Sequence, residues 1–235
     1  MKGCLRNWRV GALALFGSMA FATMVHAHGD VAPQPVNTDA LPDVGEEWLE
    51  ENPYRKGDKK VWLTALEIGA SGYNQNCARC HGLGGVSGGL APDLRFLEAD
   101  MDGDEWYLER FQNGYTQNGI TKMPAFGELL GQKAAWAIRT YLEARPTDEA
   151  LDPHSNRLKA IRDMLKGWSD AGKMNDAEYA KIREELEGIA AKIETGSGAP
   201  VADSVASKAA RNLNGSVDSL KDAVETLTIG LSAAK

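Results

Sequence analysis

The 235 residues carry 26 Lys and Arg against 33 Asp and Glu, a formal charge of −7, and the excess lies early in the chain: residues 28–150 hold 20 acids and 11 bases, residues 151–235 hold 13 and 12. A surface of that sign repels nucleic acid and anionic lipid and favours a partner with a basic docking face. Three cysteines are too few for a four-cysteine zinc centre.

Residues 1–27 read as a signal peptide. Lys2, Arg6 and Arg9 give a basic start, an apolar run covers residues 10–25, and Val25-His26-Ala27 offers a cut after Ala27. The run is interrupted by Gly11, Gly17 and Ser18 and is short for a span; an uncleaved anchor is the alternative. Cys4 lies in the basic region, too early for a lipid attachment site. Cleavage removes three bases and no acid, which takes the charge to −10 and leaves no membrane span; the expected location is the periplasm. Residues 28–60 carry Pro33, Pro35 and Pro42 and are expected as an extended strap. It should contain a short helix over residues 46–50, anchored by Trp48 and Leu49 and ended by Asn52-Pro53. Val61, Leu63, Leu66, Ile68, Gly69 and Tyr73 then predict a helix with Gly69 and Tyr73 on one face. A second apolar helix over residues 134–143 presents Trp136, Ile138, Tyr141 and Leu142, and could cross the first closely at Gly69.

The first of these helices runs into Cys77-Ala78-Arg79-Cys80-His81. Two thiols three positions apart, followed directly by an imidazole, are the arrangement that adds to the vinyl groups of haem and gives its iron an axial nitrogen. A thioredoxin-like dithiol would need a βαβ setting, and the surroundings read as helix and Gly-rich loop instead. With this motif between them, the two helices resemble the crossed terminal helices of class I c-type cytochromes, over residues 61–145.

That resemblance implies an all-α, class I cytochrome c fold around one covalent haem c, with a second axial ligand downstream of the motif. Met123, in Thr121-Lys122-Met123-Pro124, is the candidate, in a loop that Pro124 stiffens. Met101 competes, but Asp100, Asp102 and Asp104 make an acidic lining for a haem face. A neutral thioether raises the reduction potential, and two axial ligands leave no open position; such a centre passes single electrons. The resemblance also implies that Pro92 accepts a hydrogen bond from His81 through its carbonyl, and that Arg95 and Trp106 are partners for the haem propionates. Gly82, Gly84, Gly85, Gly88 and Gly89 would let the backbone approach the porphyrin edge.

Residues 72–83, 88–95 and 121–126, with the processed start at His28-Gly29, are similar to the periplasmic cytochromes that accept electrons from PQQ-dependent (quinoprotein) alcohol dehydrogenases. The resemblance implies such a dehydrogenase as donor and a terminal oxidase or another cytochrome as acceptor. A carrier for a different dehydrogenase, a haem enzyme such as a peroxidase, and a haem sensor or interaction protein are the competing functions. Two further motifs have simpler readings. Glu98, Asp100, Asp102, Gly103, Asp104 and Glu109 follow a calcium-loop spacing, but a solvated acidic turn with Asp104 capping the next helix accounts for them. His28 could hold copper as a new N-terminus, though terminal histidines are usually incidental.

The cytochrome domain is expected over residues 61–150, followed by a helical extension. Residues 151–195 predict a helical hairpin: Asp152-Pro153 opens the first helix (Leu158, Ile161, Leu165, Trp168), Ala171-Gly172 stops it, and Asn175 and Glu178 start the second (Tyr179, Ile182, Leu186, Ile189, Ile193). In residues 196–235 a linker precedes Leu213, Val217, Leu220, Val224, Leu227 and Leu231, a seam that wants a partner helix. Self-association, docking on the dehydrogenase or folding back on the cytochrome would each bury it, unless the tail is loosely ordered.

Overall fold

The computed structural model describes residues 33–147 and 149–232. The signal peptide and His28 lie outside them. Helix α1 (Lys59–Asn76) is capped by Asp58, whose side chain accepts from the N–H of Lys60, and runs directly into the one-turn α2 (Ala78–His81). Helix α3 (Met101–Asn113) follows, then a two-stranded hairpin, β1 (Tyr115–Gln117) and β2 (Ile120–Met123), and α4 (Gly127–Glu143). The hairpin is an addition to the expected all-helical plan.

The α1/α4 crossing organises the first part of the chain. A Cβ on Gly69 would overlap the backbone carbonyl of Ala137, so the two backbones touch where the sequence placed a glycine. One turn on, Tyr73 and Tyr141 pack with ring centroids 5.5 Å apart. Helix α4 begins irregularly: Gly131 has φ of 73° and divides a short first turn from the regular stretch that follows, which is buried from Ala134 to Glu143.

Two expectations for the strap and the acidic turn are corrected. Residues 46–50 form bends and no helix, because Gln132 of α4 takes over their backbone groups. Its side chain donates to the carbonyls of Gly45 and Glu47 at 2.7 and 2.8 Å and accepts from the N–H of Leu49 at 3.2 Å. Trp48 still anchors the segment, 6.4 Å from the ring of Phe111. In the acidic turn Asp100, and not Asp104, caps α3, accepting from the N–H of Gly103. Asp104 is fully buried and binds Arg55 at 2.7 Å and Arg139 at 2.9 Å. Glu143 binds Arg55 at 2.8 Å, and Asn52 joins the group through Asp104, Thr140 and Glu143. Two cations thus meet two anions in the interior. This commitment takes Asp104 out of a calcium loop; among the described residues no group of three His, Cys, Asp or Glu is placed to hold a metal ion.

The C-terminal part has its own apolar core. After a 3₁₀ turn over Glu149–His154, helices α5 (Ser155–Ala171), α6 (Asp176–Ala190), α7 (Val205–Asn212) and α8 (Val217–Gly230) surround Leu158, Ile161, Leu165, Leu186, Leu220 and Leu227. Asp152-Pro153 therefore lies in the 3₁₀ turn and α5 starts at Ser155. Gly172, in the left-handed region, ends α5, and Asn175 caps α6 through the N–H groups of Ala177 and Glu178. The hairpin is splayed: α5 packs chiefly on α8, and α6 on α7. The seam that wanted a partner helix is covered by α5 and α7 of the same chain, and α7 was not foreseen.

The stretch expected to be a linker is a docking segment. Ser197, Ala202, Asp203 and Ser204 are buried. Ser197 Oγ donates to the carbonyl of Glu143 at 2.6 Å, the N–H groups of Ala202 and Asp203 point to the carbonyl of Ala144, and Asp203 pairs with Arg145. Among the described residues no helix is long and apolar enough to cross a membrane.

Gly167 and Gly188 sit inside α5 and α6 with open space where a side chain would project. Gly167→Ala and Gly188→Ala are each expected to raise stability by about 0.5–1 kcal/mol through reduced chain entropy. Denaturant midpoints of the holoprotein check this.

Candidate functional site

The motif is delivered by the junction of α1 and α2. The N–H groups of Cys80 and His81 both point back to the carbonyl of Cys77, at 3.1 and 3.0 Å, and the N–H of Cys77 bonds the carbonyl of Tyr73 at 2.8 Å. The motif is thus one continuous helical turn, with Cys77 half-buried and Cys80 exposed. Before haem attachment, burial, reinforced by Cys80, pushes the Cys77 thiol up to about 12. The Tyr73 hydroxyl donates to the carbonyl of Gly82 at 2.8 Å, which ties the chain after the motif to α1.

His81 is buried, and its Nδ1 lies 2.9 Å from the carbonyl oxygen of Pro92. A carbonyl can only accept, so Nδ1 carries the proton and Nε2 keeps its lone pair. That is the tautomer an iron ligand needs, with its orientation fixed from behind. The loop carrying Pro92 is cross-braced. Ser87 Oγ donates to the carbonyl of Ala91. Asp93 accepts from the N–H of Ser87 and of Arg95 and from the Arg95 guanidinium. Although partial burial opposes it, the hydrogen bonds from Arg95 hold the Asp93 carboxyl below its ordinary value.

The glycines of this loop serve the protein's own packing more than expected. A Cβ on Gly82 would overlap the carbonyl of Val86, and one on Gly84 would lie 2.5 Å from the Arg145 guanidinium; only Gly88 and Gly89 face open space. Met123, expected in a loop, ends strand β2 opposite Tyr115. It is half-buried and packs on the same apolar cluster as Cys77 and Ala78. Gly114 abuts its carbonyl, and the N–H of Phe126 bonds the carbonyl of Phe111 at 2.8 Å, so both ends of the segment are pinned to α3. The competitor Met101 is exposed at the start of α3.

Of the two residues expected near the propionates, Arg95 is buried and engaged with Asp93. Trp106 lies half-exposed on α3 with the Arg110 guanidinium 5.4 Å above its ring. Arg145, against Gly84 and 5.5 Å over the ring of Tyr141, is a cation next to the motif loop that sequence reasoning missed. Its position just past the second helix was the available signal.

Residues 64–142 match the family described as cytochrome c oxidase, cbb3-type, subunit III. The chain is 52% identical over 139 residues to cytochrome c550 of Pseudomonas aeruginosa, an alignment covering 59% of this chain and 94% of that protein. The chain belongs to the class I c-type cytochromes. It is a monohaem electron-transfer protein carrying covalently bound haem c, and the donor set above fits that group. The cytochrome is also similar to parts of two proteins of Pseudomonas putida. Quinohemoprotein alcohol dehydrogenase ADH IIB is 31% identical over 91 residues, 38% of this chain and 12% of that protein. Quinohemoprotein alcohol dehydrogenase ADH-IIG is 33% identical over 84 residues, 36% of this chain and 11% of that protein. No solved structure matches the chain significantly.

Proposed function

We propose that this cytochrome is a periplasmic carrier that takes single electrons from a PQQ-dependent alcohol dehydrogenase and passes them to a terminal oxidase or another cytochrome. Cys77 and Cys80 would hold the haem as thioethers, and His81 Nε2 and Met123 Sδ would ligate its iron. The observation that carries this reading is the bond from His81 Nδ1 to the Pro92 carbonyl, which leaves Nε2 as the nitrogen for iron. Met123, Cys77 and Ala78 each border the same apolar cluster, which supports Met123 as the second ligand.

Haem held in this way supplies a one-electron ferric/ferrous couple. The chain does the rest. A neutral thioether from Met123 would raise the potential relative to a second imidazole, and with His81 and Met123 both engaged no substrate would reach the iron. Support for the donor comes from the likeness to the two quinohemoprotein alcohol dehydrogenases, joined to an acidic surface suited to a basic dock. Oxidation of an alcohol to an aldehyde releases two electrons, so two molecules of the cytochrome are reduced per alcohol.

The ligand set is tested by the far-red absorption band that Met-sulfur ligation gives ferric haem. The intact ferric protein is expected to show it, and Met123→Ala to lose it while gaining cyanide binding. A band absent from the intact protein, or surviving in Met123→Ala, would sink the assignment.

A further inference from the structure

Behind the Pro92 carbonyl stands a chain of contacts that ends in the C-terminal extension. The Arg95 guanidinium grips Asp93 with two bonds, Nε to Oδ1 at 3.0 Å and Nη2 to Oδ2 at 2.8 Å, and Nη1 donates to the carbonyl of Pro146 at 3.4 Å. Asp93 follows Pro92 directly, so a swing of Asp93 moves the carbonyl that holds His81. The extension packs against the backbone of Arg95 and the ring of Phe96. A Cβ on Gly196 would lie 2.8 Å from the Arg95 carbonyl oxygen and 2.7 Å from the Phe96 ring. The N–H of Ala99 donates to the carbonyl of Ser197 at 2.9 Å, and Pro146 and Thr195 form a β-bridge.

We propose that Arg95 is a positioning residue for the axial imidazole, held in register by residues 195–197 of the extension. Gly196, Arg95, Asp93 and the Pro92 carbonyl act in series to set the orientation and hydrogen-bond strength of His81. This rests on His81 being an iron ligand. The hydrogen bond from Nδ1 makes the imidazole a more basic ligand and favours ferric iron. Loosening it therefore raises the reduction potential. A cation acting only through its field has the opposite sign, because its removal favours ferric iron and lowers the potential. Lysine would preserve that field but cannot make two parallel bonds to Asp93.

The test compares full-length holoprotein with Arg95→Leu, Arg95→Lys and Gly196→Ala. Solvent exchange of the His81 Nδ1 proton is followed by NMR in the ferrous state, and the potential by redox titration. All three variants are expected to speed exchange about tenfold or more and to raise the potential, with Lys no better than a partial substitute. Restoration of both values by Lys, a fall in potential in Arg95→Leu, or unchanged exchange in Gly196→Ala would overturn the proposal. Gly196→Ala alters neither Asp93 nor any ligand, so it decides the matter if Arg95→Leu does not fold. A wild-type ferrous spectrum lacking a protected Nδ1 proton would overturn the ligand assignment, and the proposal with it, before any variant is made.

Discussion

Asp104→Ala is expected to lower the stability of the holoprotein by about 3–5 kcal/mol. The carboxylate is wholly buried and accepts from Arg55, Arg139 and the N–H of Asn52. Deleting it leaves two cations facing Glu143 alone and strands a buried backbone donor. The loss should appear as a fall of about 10 °C or more in the thermal midpoint. Because Asn52 and Arg55 belong to the strap, hydrogen exchange should rise there first. Asp104→Asn keeps the shape and one acceptor oxygen but not the charge, and should lie between the two. A loss below about 1 kcal/mol, the range of an exposed ion pair, would show that the group does not hold the strap.

Gly69→Ala tests the helix crossing with a sign that secondary-structure preference cannot imitate. In an isolated helix, Ala at this position would stabilise by about 1 kcal/mol over Gly. Here the added methyl group meets the Ala137 carbonyl, a backbone atom that cannot rotate aside. The helices must part, and the packing of Tyr73 on Tyr141 opens with them. Since the Tyr73 hydroxyl also holds the Gly82 carbonyl, the damage reaches the turn after the motif. A destabilisation of about 3 kcal/mol or more is expected, at the upper end for overpacking. Denaturant titration checks it, and the gain expected for Gly167→Ala in α5 is the internal contrast.

The parts of the molecule that were legible are those written in local pattern. The run of Val61, Leu66, Gly69 and Tyr73, the Cys77 to His81 spacing and the apolar face near Trp136 each specify their element within a few turns of chain. The buried ion group was not legible, since Asn52, Arg55, Asp104, Arg139 and Glu143 are brought together only by the fold and each resembles an ordinary surface residue. The helix expected around Trp48 failed because Gln132, more than eighty positions away, captures its backbone groups. Thr195, Gly196 and Ser197 have a linker's composition, yet they dock through backbone bonds that need small residues and leave no hydrophobic signature. The seam from Leu213 to Leu231 announced a need for a partner, but spacing alone could not say that α5 and α7 would fill it.

Rapid mixing tests electron transfer from a quinoprotein alcohol dehydrogenase to this cytochrome. Ferric full-length holoprotein is mixed with purified dehydrogenase and alcohol, and haem reduction is followed over a range of salt concentrations. The expected result is complete reduction, two molecules of cytochrome per alcohol consumed, with a rate that falls as salt screens the acidic surface. No reduction at any ionic strength would contradict it.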